Sequence, residues 1–196
     1  MSSSCPKYSR RRHPAPATHT TLSVDAPTIT TERLTLRAPT LGDLSAYAAF
    51  NDVSETRVGK YRGGKSASEI NAVLQGDIDH WQKGFGMWLI TLKGDQVIGG
   101  AGLVHPDDWP SHELTWWLMP DQRRHGYATE ASRAVIEFGY AVLGWPQVET
   151  HMRDENLPAR QLAQRLGGTI DRRVTFPDGV TRDVFALPRP KPEAAA

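Results

Sequence analysis

Apolar and polar residues recur along the chain with two periods, and these periods predict helices and strands. Period-two alternation, or a short apolar run between turn residues, predicts strands at residues 34–37, 86–93, 96–105, 112–119 and 147–153, and in both arms of a hairpin across 169–187. Apolar residues spaced three and four apart predict one helix that begins near Thr40 or Asp43 and others at residues 67–82, 128–144 and 157–168.

The helical spacing also predicts which side chains share a face. In the first helix these are Leu44, Tyr47 and Ala48, and in the second Ile70, Val73, Leu74, Ile78 and Trp81 recur at helical spacing. The third helix should bury a stripe of five residues and end at Gly144; the stripe consists of Ala131, Ala134, Val135, Phe138 and Val142.

Hairpins and two helical crossovers are mixed in the predicted order of elements, which indicates an α+β or mixed α/β fold. Turns are predicted at 93–95 and at Pro177-Asp178-Gly179. We expect a disordered N-terminal tail at residues 1–27, because it is rich in Ser, Thr and Pro and lacks apolar periodicity. A single domain should then cover residues 28–190, with a loose C-terminal tail at 191–196.

Composition and net charge limit which partners, metal sites and cellular compartments are expected. The net charge is +1, and no apolar run approaches the roughly 20 residues that cross a bilayer, so neither nucleic acid nor membrane is the expected partner. The arginine run at residues 10–12 is best explained as part of a solvated tail, with contact with nucleic acid or a transit-like feature as the alternatives. Cys5 is the only cysteine, which excludes an internal disulfide and a cysteine-rich metal site and favours a cytoplasmic protein.

Two motifs match known patterns without the context that those patterns need. Residues 59–66 (GKYRGGKS) match the phosphate-binding loop of nucleotide enzymes, but the preceding residues are too polar for the buried strand that such a loop follows. A mobile basic surface loop is the better interpretation, and a nucleotide-binding loop is the alternative. The stretch HELTW begins like a zinc-protease motif, but Trp116 stands where the second histidine is needed, so no metal is expected.

A third motif, MPDQRRHGYATEA at residues 119–131, has the predicted secondary structure that a phosphate site needs. It lies between a strand and a helix, in a short loop. The first N–H groups of a helix have no internal partner, and the helix dipole places partial positive charge there. Phosphate fits such an end, Gly126 permits a close approach, and Arg123 and Arg124 add full charges. A solvated basic turn is the alternative on this pattern alone.

The same residues, from Arg123 to Ala128, resemble the coenzyme A pyrophosphate loop R/Q-x-x-G-x-G/A of the GNAT superfamily of N-acetyltransferases. The wider motif is similar to the branch of ribosomal-protein N-terminal acetyltransferases, as are TERLTLRAPTLGDL, RDENLPARQLAQRLGG and DVFALPRP. The resemblance covers about residues 30–188. It implies a mostly antiparallel twisted sheet of about seven strands with a V-shaped split and about four helices.

The resemblance also implies acetyl-CoA as co-substrate and a set of binding residues. The pantetheine arm would add to the strand at Trp116, Trp117, Leu118 and Met119, and Asn156 would hydrogen-bond it, cap a helix, or do both. The pyrophosphate would lie on a basic loop and on the helix that comes after it; these residues are Arg123, Arg124, His125, Gly126, Tyr127, Ala128 and Thr129.

This sequence departs from the family pattern at three positions. Many relatives have glycine at the position of Arg124, so the approach of the loop to its ligand should differ slightly. Ala159 stands where a serine is frequent, and Ala163 where a tyrosine serves other relatives as general acid. The usual proton donor is therefore missing.

Glu113 is the best candidate for the base, because it lies on the strand before the loop, where relatives often carry a glutamate. His105, Asp107, Asp108 and His151 are further candidates on neighbouring segments.

The sequence thus predicts an acetyl-CoA-dependent N-acetyltransferase in which an amine attacks the thioester directly. The alternative is a catalytically silent coenzyme A-binding domain. Homodimers are common among relatives, and the sequence does not identify the acceptor amine.

Overall fold

The computed structural model describes residues 26–56, 59–92 and 95–191. Most of the predicted N-terminal tail, with Cys5 and the arginine run, lies outside the described residues, as do Lys93 and Gly94 of the predicted turn and residues 192–196.

Eight strands and four α-helices make up the described part of the chain. The strands are β1 Ile29–Thr30, β2 Thr35–Arg37, β3 Met87–Thr91, β4 Val97–Val104, β5 Glu113–Leu118, β6 Val148–Met152, β7 Thr169–Thr175 and β8 Thr181–Leu187. The helices are α1 Leu44–Val53, α2 Ala67–His80, α3 Tyr127–Ala141 and α4 Leu157–Arg165. Short 3-10 turns precede α1, follow α2 and precede α3. The prediction of mixed α and β elements is confirmed, with β1 as an addition.

The strands form two antiparallel sheets that meet only at one end. One sheet has the order β1-β2-β3-β4-β5 and the other has the order β6-β8-β7. Beside the start of β5, the hydroxyl of Thr150 in the middle of β6 donates to the Leu114 carbonyl over 2.8 Å, and a ring nitrogen of His112 lies 2.8 Å from the Gln147 carbonyl. No main-chain ladder joins β5 to β6 among the described strands, and the polar contacts between the two strands start from the first residues of β5. This is the predicted V-shaped split.

The two faces of β5 contact different helices because its side chains alternate. Leu114 and Leu118 belong to the main core, which also contains Val135 of α3 and Leu162 of α4. Trp117 points to the opposite face, into a smaller cluster with residues of α1 and α2. The strand before the candidate ligand loop is therefore fixed from both sides.

The predicted buried stripe of α3 is wrong at one position. Val142 is 66% exposed because α3 already ends at Ala141, and Ile136 and Gly139 are buried on this helix instead. Leu44 is exposed at the first position of α1, whereas Tyr47 and Phe50 form the buried face.

Candidate active site

Two connections line the open end of the cleft. One leads from β5 into α3, and a shorter one leads from β6 into α4. Because β5 and β6 run side by side in the same direction, the N-termini of α3 and α4 come to the same end of the cleft. Two helix N-termini there create partial positive charge.

The loop before α3 has two residues in left-handed conformation. Arg124 has φ 67° and Gly126 has φ 82°. This conformation is favourable for glycine and costs other residues about 1–2 kcal/mol, which explains in physical terms why glycine is expected at position 124. The main chain of this loop therefore adopts backbone conformations that most residues avoid, and such strained conformations are frequent at ligand sites.

The main-chain N–H groups of residues 124–129 form no hydrogen bond with another described residue. The first helical bond of α3 is donated by the Glu130 amide to the Gly126 carbonyl over 3.0 Å. Arg123 and Arg124 are exposed beside these amides, and the His125 ring stacks on Tyr127 with centroids 5.5 Å apart. Convergent free amides, a helix N-terminus and two guanidinium groups form an environment suited to phosphate.

Asn156 is at the corresponding position before α4. Its side-chain oxygen accepts a hydrogen bond from the Ala159 amide over 3.3 Å, so the predicted helix cap is present. Ala163, at the position where other relatives have a general-acid tyrosine, is fully buried in the main core. A tyrosine would not fit there without repacking.

Glu113 lies at the closed end of the cleft and contacts a histidine across it. The Glu113 Oε2 atom is 2.5 Å from Nε2 of His151, and both side chains are largely buried. The His151 ring stacks on Trp109 at 5.1 Å and packs 4.1 Å from Phe176, while its Nδ1 is buried with no hydrogen-bond partner. The structure thus brings together two of the predicted candidates for the base.

Two of the other three candidates for the base hold the connection between β4 and β5 in place. The His105 amide donates to Nε2 of His80 over 3.2 Å, and Asp107 pairs with Lys83 at 2.7 Å. The Lys83 ammonium lowers the pKa of Asp107 through this hydrogen bond. Asp108 is exposed. His105 and Asp107 therefore anchor this segment to the end of α2.

A buried carboxylate that sequence reasoning missed lies between α1 and α2. Asp77 is fully buried and accepts hydrogen bonds from Tyr47 over 2.7 Å, Tyr61 over 2.9 Å and Lys60 over 2.5 Å. Burial and the neighbouring Asp77 charge raise the pKa of Tyr61 well above its ordinary value. Tyr61 also stacks on Trp117 at 6.2 Å, which fixes the α1–α2 connection against the strand of the cleft.

The glycine-rich segment 59–66 connects two helices. The element before it among the described residues is α1, so a nucleotide-binding loop lacks its strand here. Ser66 instead caps α2 by accepting from the Glu69 amide over 3.3 Å, and the Lys65 amide donates to Asn51 over 2.7 Å. Within the described ranges, no helix is long and apolar enough to cross a bilayer, and no cluster of three His, Cys, Asp or Glu side chains could hold a metal.

Comparisons with known proteins agree with this architecture. The model of the acetyltransferase (GNAT) domain family matches residues 33–169. The uncharacterized N-acetyltransferase YnaD of Bacillus subtilis (strain 168) is 25% identical over 142 residues, which are 71% of this chain and 81% of YnaD.

Solved structures share the fold. An acetyltransferase from Agrobacterium tumefaciens str. C58 has a TM-score of 0.73 and 29% identity, over 83% of this chain and 94% of its own. RimL, a ribosomal L7/L12 alpha-N-protein acetyltransferase solved in complex with coenzyme A, has a TM-score of 0.65 and 17% identity, over 82% of this chain and 97% of its own.

Proposed function

Because the chain belongs to the GNAT acetyltransferase family and is thus an N-acetyltransferase, we propose that it transfers an acetyl group from acetyl-CoA to a primary amine. Amine and acetyl-CoA bind together, and the amine nitrogen attacks the thioester carbon directly. The only cysteine, Cys5, precedes the family match, so no acyl-enzyme is proposed.

The loop before α3 is the observation that carries the proposal. Its free amides at residues 124–129 and the guanidinium groups of Arg123 and Arg124 would hold the pyrophosphate of the coenzyme. Gly126 leaves room for a phosphate to approach the main chain. The complex of RimL with coenzyme A supports the choice of this cofactor.

The pantetheine arm would enter the open end of the cleft. There β5 is the outer strand of its sheet, so the outward-facing main-chain groups within Trp116, Trp117, Leu118 and Met119 can accept an added extended segment, although the Met119 amide already donates to the Ile98 carbonyl over 2.9 Å. The Asn156 side-chain nitrogen forms no hydrogen bond with a described residue and remains able to donate to the arm. With these assignments, the thioester would lie between β5 and β6.

We propose Glu113 as the base that accepts the proton of the amine. An alkyl amine has a pKa of about 10.4 and is protonated at neutral pH, so it cannot attack until a group removes its proton. Once the tetrahedral intermediate has formed, its C–S bond breaks and coenzyme A leaves as a thiolate. With Ala163 at the usual position of the acid, water or another side chain must protonate that thiolate.

A panel of amines tests the proposal, with free thiol release from acetyl-CoA as the measurement. The panel should include peptides with a free N-terminus, polyamines, aminoglycosides and small amino metabolites, each with a control that lacks amine. We expect thiol release above that control with at least one class. Binding of acetyl-CoA without release with any amine would favour a coenzyme A-binding protein instead. Protection against heat by ATP but not by acetyl-CoA would favour the nucleotide loop.

A further inference from the structure

Two distant stretches of the chain meet at the ligand loop. Thr31 and Arg33 lie in the connection between β1 and β2, and Glu130 lies in the first turn of α3. The Glu130 carboxylate accepts from the Thr31 hydroxyl over 2.6 Å and from the Arg33 amide over 2.9 Å. Its other oxygen accepts from Nε of Arg33 over 2.7 Å and lies 2.6 Å from Nη2. Four contacts thus join the first strand connection to the start of α3.

The Arg33 guanidinium also reaches the loop itself. Its Nη1 donates to the His125 carbonyl over 3.0 Å, and its carbon lies 4.8 Å from the ring centroid of Tyr127. Its Nη2 is 3.3 Å from the point that a Cβ on Gly126 would occupy. One side chain therefore touches three consecutive residues of the loop.

The ion pair between Arg33 and Glu130 also affects the charge at the ligand loop. Burial raises the pKa of Glu130, but hydrogen bonds from Thr31 and Arg33 lower it below its ordinary value, so the carboxylate is ionised at neutral pH. An isolated negative charge in the first turn of α3 would repel a pyrophosphate there. Arg33 neutralises that charge while its planar fork fixes the orientation of the carboxylate.

From these contacts we infer that Arg33, held by Glu130, is a positioning residue for the coenzyme A pyrophosphate loop, an inference that rests on the function proposed above. The loop needs such support because Arg124 and Gly126 are both in left-handed conformation. Arg33 shapes the loop through His125, Gly126 and Tyr127, and it removes the negative charge that would oppose the ligand.

Calorimetry with coenzyme A on the full chain tests this role without any acceptor amine. Arg33→Gln should weaken coenzyme A binding about tenfold, or about 1.4 kcal/mol. The same variant should raise the KM for acetyl-CoA and leave kcat at saturating acetyl-CoA nearly unchanged. The matched control is Arg189→Gln, because Arg189 pairs with Glu137 on the same helix at 2.6 Å, far along the chain from the loop. This control should bind coenzyme A like the wild type.

The outcomes separate the two proposals. If the wild type does not bind coenzyme A, the proposed function fails. If the wild type binds and Arg33→Gln binds within twofold of it, the role of Arg33 is refuted while the function stands. If the circular dichroism spectrum shows that Arg33→Gln does not fold, Arg33→Lys is tested in its place. Lysine keeps the positive charge but lacks the planar guanidinium group. A folded Arg33→Lys with wild-type affinity for coenzyme A would also refute the role of Arg33.

Discussion

The carboxylate of Glu113 meets His151 across the closed end of the cleft. The His151 ring packs against Trp109 and Phe176, and these contacts restrict its rotation away from Glu113. A base needs a fixed position close to the amine and a way to pass its proton on. The contact with His151 gives Glu113 the fixed position that the proposed base needs.

We expect Glu113→Gln to lower kcat by about 10²-fold at pH 7, the usual contribution of general base catalysis. Glutamine keeps the size of the side chain and its reach to His151 but cannot take up a proton. Part of the activity should return at high pH, where the amine loses its proton unaided. The affinity for acetyl-CoA should hardly change, since the proposed coenzyme site uses other residues. Steady-state kinetics from pH 7 to 10, together with calorimetry, measure these effects.

Full activity of Glu113→Gln at pH 7 would contradict the assignment of Glu113. His151 would then be the next candidate, because its Nδ1 is buried without a partner.

Among the elements, the connection from β4 to β5 depends on a neutral histidine at the end of α2. The Nε2 atom of His80 accepts from the His105 amide, so this ring must stay unprotonated at that nitrogen. Burial, helped by the charge of Lys83, lowers the pKa of His80 to about 4. In the unfolded chain the pKa returns to about 6.5. Unfolding therefore takes up a proton between these two values, and stability falls as the pH falls from about 6.5 to about 4.

His80→Gln should flatten this dependence. After a discount for the partial exposure of the ring, the expected difference is about 1 kcal/mol, or a few degrees in Tm, between pH 6.5 and 4.5. Thermal unfolding of both proteins across this range measures it. A wild-type Tm that falls no faster than that of His80→Gln would show that the ring does not titrate as described.

The longer elements are predictable from sequence because each has its own periodicity. All strands but β1 and all four helices follow from apolar spacing, and the turn at Asp178-Gly179 follows from residue preference, with Gly179 at φ 76°. By contrast, β1 has two residues and therefore no period to detect. The prediction that Val142 is buried is wrong because Gly144 suggests a later end of α3 than the helix has.

The parts of the site formed by contacts between distant segments are not predictable. The loop before α3 follows from its glycine, arginines and context. The pairing of Arg33 with Glu130, 97 residues apart, depends on where the fold places the connection between β1 and β2 relative to the start of α3. Likewise, Asp77 occurs in a polar stretch of α2, and its burial under Tyr47 and Tyr61 requires the α1–α2 packing. Tertiary structure decides such contacts, which have no local signal.

For the whole molecule, the start of the folded domain can be placed more closely than composition allows. The Trp88 indole donates to the Pro27 carbonyl over 2.7 Å, and Ala26 packs against the main core. These two residues lie within the tail that composition predicts. Residues 1–25 lie outside the described residues, and their disorder stays a prediction.

Two truncations test this boundary. Removal of residues 1–25 should leave Tm and turnover nearly unchanged. Removal of residues 1–27 should lower stability by about 1–2 kcal/mol, because the Trp88 indole loses its acceptor. Differential scanning calorimetry compares the pair. Equal Tm values for both truncations would show that the Pro27 contact contributes nothing, and a large loss with the shorter one would show that residues 1–25 stabilise the domain.

The proposed function requires that the loop before α3 binds the pyrophosphate of acetyl-CoA. Titration calorimetry of acetyl-CoA into the wild type and into Gly126→Asp measures whether it does. Aspartate adds bulk and negative charge to the loop, with its Cβ 3.3 Å from Nη2 of Arg33, in a left-handed conformation that aspartate tolerates better than most residues. We expect one site in the wild type and no measurable binding in Gly126→Asp, with circular dichroism spectra that coincide. Equal affinity in the two proteins would contradict the assignment of this loop to the pyrophosphate.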